Sequence, residues 1–241
     1  MVIITIIKIA FLLGVLIIIH EFAHYLAARL CKVHVLEFAI GFGKKIYSKE
    51  KKGTKYTLRL IPFGGFVSLK GADEPSDDAD SYTKASIWKR IVILLAGGLF
   101  NILFGLVVYF ILIMIINNFQ TAISASGEFL FTLFDSLRML FTGQIGMDQF
   151  MGPIGISELV AQTKGLAQFV YLLAVVSLSL GVTNLLPIPP LDGSKILILL
   201  IEAIRRKPIK QELELKIQAY GFMLLIVLSV YIAYRDVLRI V

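Results

Sequence analysis

His20-Glu21-Phe22-Ala23-His24 lies inside an apolar run from Val2 to Leu30. Nothing else in the chain constrains the fold as tightly. Val2 to Ile19 holds one charge, Lys8, and the run is long enough to cross a bilayer as a helix. On a helix, His20 and His24 stand one turn apart on the same face. Two imidazoles at that spacing can hold one metal ion, and Glu21 between them can reach a water at the same site. An ionised side chain at mid-membrane costs about 2.5–3.5 kcal/mol on insertion scales, so such groups are functional by default. The plainer alternatives are a chance HExxH on a polar face and core histidines satisfied by hydrogen bonds. Neither explains three ionisable groups interrupting one membrane-length run.

Composition agrees with a membrane setting. Of 241 residues, 57% are hydrophobic, and the mean hydropathy is +0.82, which places the chain among polytopic membrane proteins. The net charge of +7 does not point to nucleic acid, because the basic residues cluster in loops between apolar spans. There they set topology and touch anionic headgroups. A single cysteine, Cys31, excludes an internal disulfide framework and any CxxC metal knuckle. The N-terminus lacks a basic n-region and a small-residue cleavage site, so it reads as a retained first span rather than a signal peptide.

In chain order the sequence predicts four transmembrane helices, at about 3–30, 91–116, 166–186 and 217–234. The fold class is an all-α polytopic membrane protein, a single domain over 1–241, with one small membrane re-entrant β-sheet after the first helix, at about 38–71. Tyr56, Leu58 and Leu60 alternate with Thr57 and Arg59, which is a strand signal. Ile61 to Gly71 continues as a second apolar, glycine-rich strand. Irregular backbone at membrane depth must be buried in protein or line a wet cavity. A peripheral cytoplasmic hairpin is the alternative. Ala72 to Ser81 is acidic and reads as a mobile loop. Trp88, Lys89 and Arg90 anchor the second span, and Gly97, Gly98 and Gly105 allow close helix packing there. Glu128 to Phe141 repeats apolar residues at helical spacing, an amphipathic helix for the outer membrane surface. Gly152-Pro-Ile-Gly155 is a turn that starts a new helix. Pro187, Pro189 and Pro190 end the third span, leaving Asp192 in an unwound stretch that can face a cavity. A further helix is expected from Ser194 to Ile204.

The loop Cys31–Arg90 carries twelve Lys or Arg against seven Asp or Glu, whereas 117–165 carries only Arg138 and Lys164. The positive-inside rule then puts the first loop in the cytoplasm, both termini outside, and 117–165 outside as an extracytoplasmic segment. His20 lies nearer the cytoplasmic loop than the N-terminus.

The HExxH of the first span, with Asn184-Leu-Leu-Pro-Ile-Pro-Pro-Leu-Asp-Gly193 at the end of the third, resembles the site-2 proteases, a family of intramembrane zinc metalloproteases. Phe38–Gly43, Pro62–Gly71, Ser86–Asn101 and Gly152–Ile156 support the resemblance, which covers nearly the whole chain. It implies Zn2+ held by His20, His24 and Asp192, Glu21 as the general base, and Asn184 at the substrate or the developing oxyanion. It also implies that Pro62–Leu69 is the family's re-entrant β-element, with Gly64, Gly65 and Phe66 on an edge that could take a substrate strand. The substrates implied are membrane-anchored proteins of the anti-sigma factor, transcription-factor precursor or signal-peptide remnant type, cut after prior trimming. The location implied is a bacterial inner or plasma membrane, with the active site toward the cytoplasm. Two departures stand out. Many bacterial members have Ala-Gly-Pro where this chain has Ala96-Gly97-Gly98. Many also insert one or two PDZ domains between the second and third spans, where about fifty residues are too few for a domain of roughly a hundred.

Three rival readings make different demands. A metal or ion transporter would place ionisable groups on several spans as a path, but spans two and four carry no central charge. A membrane-anchored soluble zinc peptidase would put HExxH outside the membrane. An inactive family member acting as a binding module would not need Glu21.

Overall fold

The first apolar run forms one helix, α1 (Val2–Leu30). Its outer face exposes Ile3, Ile6, Ile7 and Phe11, an arrangement that suits lipid and not water. The computed structural model describes residues 2–72, 74–144 and 152–240. Four helices are long and apolar enough to cross a membrane: α1, α2 (Ile87–Ile116), α5 (Leu166–Leu185) and α7 (Gln211–Ile240, apolar through Leu238). α2 starts four residues before the expected span because Trp88, Lys89 and Arg90 are helical rather than flanking. α7 likewise takes in the polar residues from Gln211 onward. Three further helices are α3 (Phe119–Phe141), α4 (Pro153–Gln162) and α6 (Asp192–Arg205).

Two long strands, β1 (Val35–Lys51) and β2 (Thr54–Leu69), pair antiparallel. They meet at Lys52-Gly53, where both residues have positive φ (51° and 75°). That is the backbone a two-residue hairpin of the primed type needs, and glycine supplies it without strain. The strands bend, so Phe38–Ile40 is flanked on both sides, by Gly65–Val67 on one and by Tyr56–Leu58 on the other. The sheet therefore begins before the expected Phe38 and is wider than a simple hairpin. It is pinned to α1 by the Tyr25 and Tyr56 hydroxyls, 2.7 Å apart, and internally by the Thr54 hydroxyl donating to the Val35 carbonyl at 2.8 Å. Glu37 collects Thr57 and Arg59 at 2.6 and 2.7 Å. Partial burial works against its charge, but these donors and Lys45 outweigh it and hold the carboxyl below its usual range.

The chain forms two compact units. One comprises Ala10–Asn101 and Leu180–Ala219. Its core is Ala23, Ala27 and Ala28 of α1, Val35 and Leu69 of the sheet, and Ile93 and Ala96 of α2. The small side chains on α1 let the sheet and α2 approach closely. The acidic loop is tied to this unit: Lys70 pairs with Asp78 and Asp80, and the His34 amide donates to the Asp80 carbonyl. The expected mobile loop is in this respect fastened at its second half; Asp73 lies outside the described residues.

The other unit comprises Met1–Ile9, Ile102–Ser179 and Tyr220–Val241. Here α3 extends well before the expected Glu128. Phe129 of α3 stacks on Tyr109 of α2 with ring centroids 4.4 Å apart, while Phe131 and Phe134 remain exposed. α4 starts at the expected Gly152 turn. Its first turn is held by Asp236 of α7, whose Oδ2 accepts from the Gly152 and Gly155 amides at 3.0 and 2.8 Å. Residues 145–151 of the expected extracytoplasmic segment lie outside the described residues.

Candidate metal centre

α1 carries His20, Glu21 and His24 to the same site, as the i, i+4 spacing requires. The third group arrives from α6. After α5 ends at Leu185, the prolines keep residues 186–191 out of helix, and the chain re-enters helix at Asp192. Asp192 is thus the first residue of α6, not part of the unwound stretch as expected. Its position is that of a helix start, yet its carboxylate turns away from capping. Oδ2 lies 3.1 Å from His20 Nε2 and 3.2 Å from His24 Nε2, and the two Nε2 atoms are 3.1 Å apart. Gly193 permits this approach, because a Cβ there would collide with the Leu185 and Leu186 carbonyls.

Three donors at these separations suit one metal ion. Ligand bonds of about 2.0–2.1 Å in a tetrahedron set donors about 3.3 Å apart. Two nitrogens and one carboxylate oxygen are a donor set that zinc accepts. Among the described residues these three form the one cluster of His, Cys, Asp or Glu compact enough to do so. His34 and Cys31 take no part: His34 lies 3.9 Å from Asp80, and Cys31 Sγ faces the Lys89 carbonyl.

The outer nitrogens of both imidazoles are also met. His24 Nδ1 donates to the Ile93 carbonyl at 2.7 Å, which leaves Nε2 with its lone pair for a metal. His20 Nδ1 has the side-chain amides of Asn101 and Asn184 each at 3.5 Å. An imidazole that offers Nε2 to a metal carries its proton on Nδ1 and wants an acceptor there. Turning either amide presents its oxygen. Asn184 therefore stands behind His20, in contact with the ring edge opposite the donor cluster. Gly97 of α2 is packed against both rings; a Cβ there would lie 2.8 Å from His20 Nε2 and would overlap His24 Nε2.

Glu21 is placed by the sheet. Val67 lines the same cavity as its carboxylate, and a Cβ on Gly65 would come within 3.2 Å of its Cγ. The strand carrying Gly64, Gly65 and Phe66 thus passes directly beside the expected base. The Phe66 ring lies under the Arg59 guanidinium at 4.9 Å. Phe66 and Val67 border a cavity of about 470 Å³, which they share with His20, Glu21, His24, Asp192, Arg90 and Lys195. That volume lies in the range of small-molecule and peptide sites.

Some of the site carries no advance signal in the chain. Nothing about Ile93 marks its carbonyl as a histidine partner, since backbone acceptors leave no trace in side-chain pattern. Gly97 and Asn101 were visible as a small residue and a polar one in an apolar span, but not as neighbours of the two rings.

Comparison with known proteins agrees with this geometry. The family model described as "Peptidase family M50" matches residues 8–228. A relative from Clostridium acetobutylicum, provisionally named a zinc metalloprotease, is 26% identical over 93% of this chain and 94% of its own length. One from Fusobacterium nucleatum, named likewise, is 24% identical over 95% and 97%. The zinc metalloprotease RasP of Shouchella clausii is 38% identical over 45% of this chain and 27% of its own. The first of these alignments spans 320 positions, so roughly a hundred positions of that relative, about one small domain, have no counterpart here. The transporter reading gains nothing from any of these matches. The chain belongs to peptidase family M50, the site-2 proteases, and is an intramembrane zinc metalloprotease that acts on membrane-embedded substrates.

Proposed function

We propose that His20, His24 and Asp192 are the zinc ligands and that Glu21 is the general base. The observation that carries this is the convergence of three donor atoms within 3.1–3.2 Å of one another, with Glu21 on the same cavity. Zinc supplies a Lewis acid that polarises the scissile carbonyl and makes water a nucleophile near neutral pH. Glu21 takes the proton from the attacking water and delivers it to the leaving amine. The strand at Gly65 packs against its side chain and fixes where the carboxylate stands. Asn184 serves the oxyanion or the substrate only by turning from His20; where it now stands, it orients the His20 ring for metal.

A transmembrane helix hides its peptide bonds, so the substrate unwinds locally before it is cut. The Gly64-Gly65-Phe66 strand takes the unwound segment by strand addition, which lays its backbone alongside Glu21. The sheet accordingly re-enters the membrane, and α3 lies on its outer surface. The family resemblance implies a bacterial inner or plasma membrane, and Lys and Arg asymmetry favours both termini outside with the cavity toward the cytoplasm. Substrates of the anti-sigma factor, transcription-factor precursor or signal-peptide remnant type fit that orientation. The chain acts as a single protease domain without a PDZ insertion.

The test is Glu21→Gln in detergent, beside wild type, on a model transmembrane peptide. Zinc content stays at one per chain while cleavage falls by about 10²–10⁴-fold, the usual share of acid–base catalysis. Undiminished hydrolysis by the variant removes Glu21 from the mechanism.

A further inference from the structure

The cavity beside the metal centre has four charged side chains besides Glu21 and Asp192: Arg90, Lys195, Glu202 and Glu214. Two of them satisfy each other. Arg90 lies 3.5 Å from Glu202 and over the Tyr82 ring at 4.8 Å. Glu202, almost fully buried, also accepts the Ile209 amide at 2.7 Å. Lys195 differs. It is exposed, and no hydrogen bond or ion pair engages its ammonium among the described residues. It stands three residues after Asp192 on α6, so the two side chains leave the helix on one face. Lys195 therefore lines the cavity about one helical turn along α6 from the residue whose carboxylate meets the two imidazoles. A cation at the border of a partly enclosed, low-dielectric space attracts an anion more strongly than one in open water.

We propose that Lys195 is a specificity residue that binds a carboxylate of the substrate or product within the cavity it shares with Glu21. This rests on the protease reading of the same site. The carboxylate has two sources in peptide hydrolysis: an acidic side chain near the cut bond, or the new α-carboxylate that cleavage creates. Glu214 faces the same space and opposes an anion there, so the pair sets how strongly acids are preferred.

The experiment uses the full zinc-loaded chain and a transmembrane peptide that wild type cleaves and Glu21→Gln does not. Cleavage of the reference peptide establishes the protease reading independently. Asp, Asn or Lys is then placed at each of three positions on either side of the cut bond. In a separate arm, the cleaved fragment is added as a competitor with either a free carboxylate or a terminal amide. If the source is a side chain, wild type favours Asp over Asn at one position by about three- to tenfold in kcat/KM, the scale of a partly exposed ion pair. If it is the new terminus, the acid fragment inhibits more strongly than the amide by a like factor. In either case Lys195→Gln levels the difference, Lys195→Arg keeps it, and Lys195→Glu reverses it toward Lys. Glu214→Gln, which leaves Lys195 untouched, enlarges it, and added salt shrinks it. The proposal is overturned if Lys195→Glu and Glu214→Gln leave both discriminations at the wild-type value while the Asn peptide is still cut. It is equally overturned if wild type shows neither discrimination.

Discussion

Gly97→Ala adds one methyl group to α2 at the point where that helix meets both imidazoles. The new carbon would sit 2.8 Å from His20 Nε2 and 2.6 Å from His20 Cε1, and would overlap His24 Nε2. Contacts that short do not occur, so either α2 retreats or the rings turn. Neither is free to move. His24 is held by the Ile93 carbonyl of the same helix at 2.7 Å, and His20 by two asparagine amides. A retreat of α2 carries Ile93 with it and loosens His24; a turn of the rings opens the 3.1 Å separation of the two nitrogens. Disturbing the groups that orient metal ligands lowers metal affinity by about 10–100-fold, or about 1.4–2.7 kcal/mol. The assay is competition for zinc against a chelator of known affinity, with the melting temperature of the zinc-loaded protein measured alongside. Two other glycines provide the comparison. Gly105→Ala meets the Ala174 carbonyl at 2.8 Å, away from the metal centre, and should lower stability while keeping zinc affinity. Gly127→Ala meets nothing within 4 Å and should gain up to about 1 kcal/mol from helix propensity. Zinc affinity in Gly97→Ala within twofold of wild type would refute the packing argument.

Other outcomes follow from the same contacts. Asp192→Asn should reduce zinc occupancy and cleavage together, because two histidines alone hold zinc weakly; full occupancy measured by elemental analysis would remove Asp192 from the ligand set. Asp236→Ala leaves the Gly152 and Gly155 amides without their acceptor and should cost about 1–3 kcal/mol of stability in thermal unfolding, with little effect on zinc. Lys49→Cys, at the exposed end of β1, should react with an impermeant thiol reagent only after cells are opened, in a Cys31→Ser background; labelling of intact cells would invert the proposed orientation.

The parts of this fold that announce themselves in the chain are those governed by side-chain pattern. The run from Val2 to Leu30 could hardly be anything but one long helix, and His20 and His24 were bound to share its face. The Gly152 turn and the helix end before Pro187 were equally plain. What stayed hidden depends on backbone geometry and on long-range approach. Residue Asp192 follows two prolines and a leucine, which suggests continued irregular chain, but prolines lie before the new helix and do not oppose its start at residue 192. The alternation of Tyr56, Leu58 and Leu60 marks a strand, yet not that Phe38–Ile40 would be flanked on both sides, because the bends are carried by residues such as Gly41, whose φ of +88° has no side-chain signature. The amphipathic signal of α3 covered only its second half, since the buried Ala122 is too small to stand out in the first half.

The separation of the three donors along the chain has a consequence for how the protein comes into being. His24 and Asp192 are 168 residues apart. At about 5–20 residues per second of synthesis, the two histidines wait roughly ten to thirty seconds in the membrane before the carboxylate is made. During that interval the nascent chain has a base and two weak ligands but no complete metal centre. With Asp192 as the proposed third ligand, a protease whose substrates are membrane segments would thereby be kept inert among the many unfolded segments present during insertion, its own included. On the proposed ligand set, activity waits until α5 and α6 are in place, and the metal centre doubles as a check that assembly has finished.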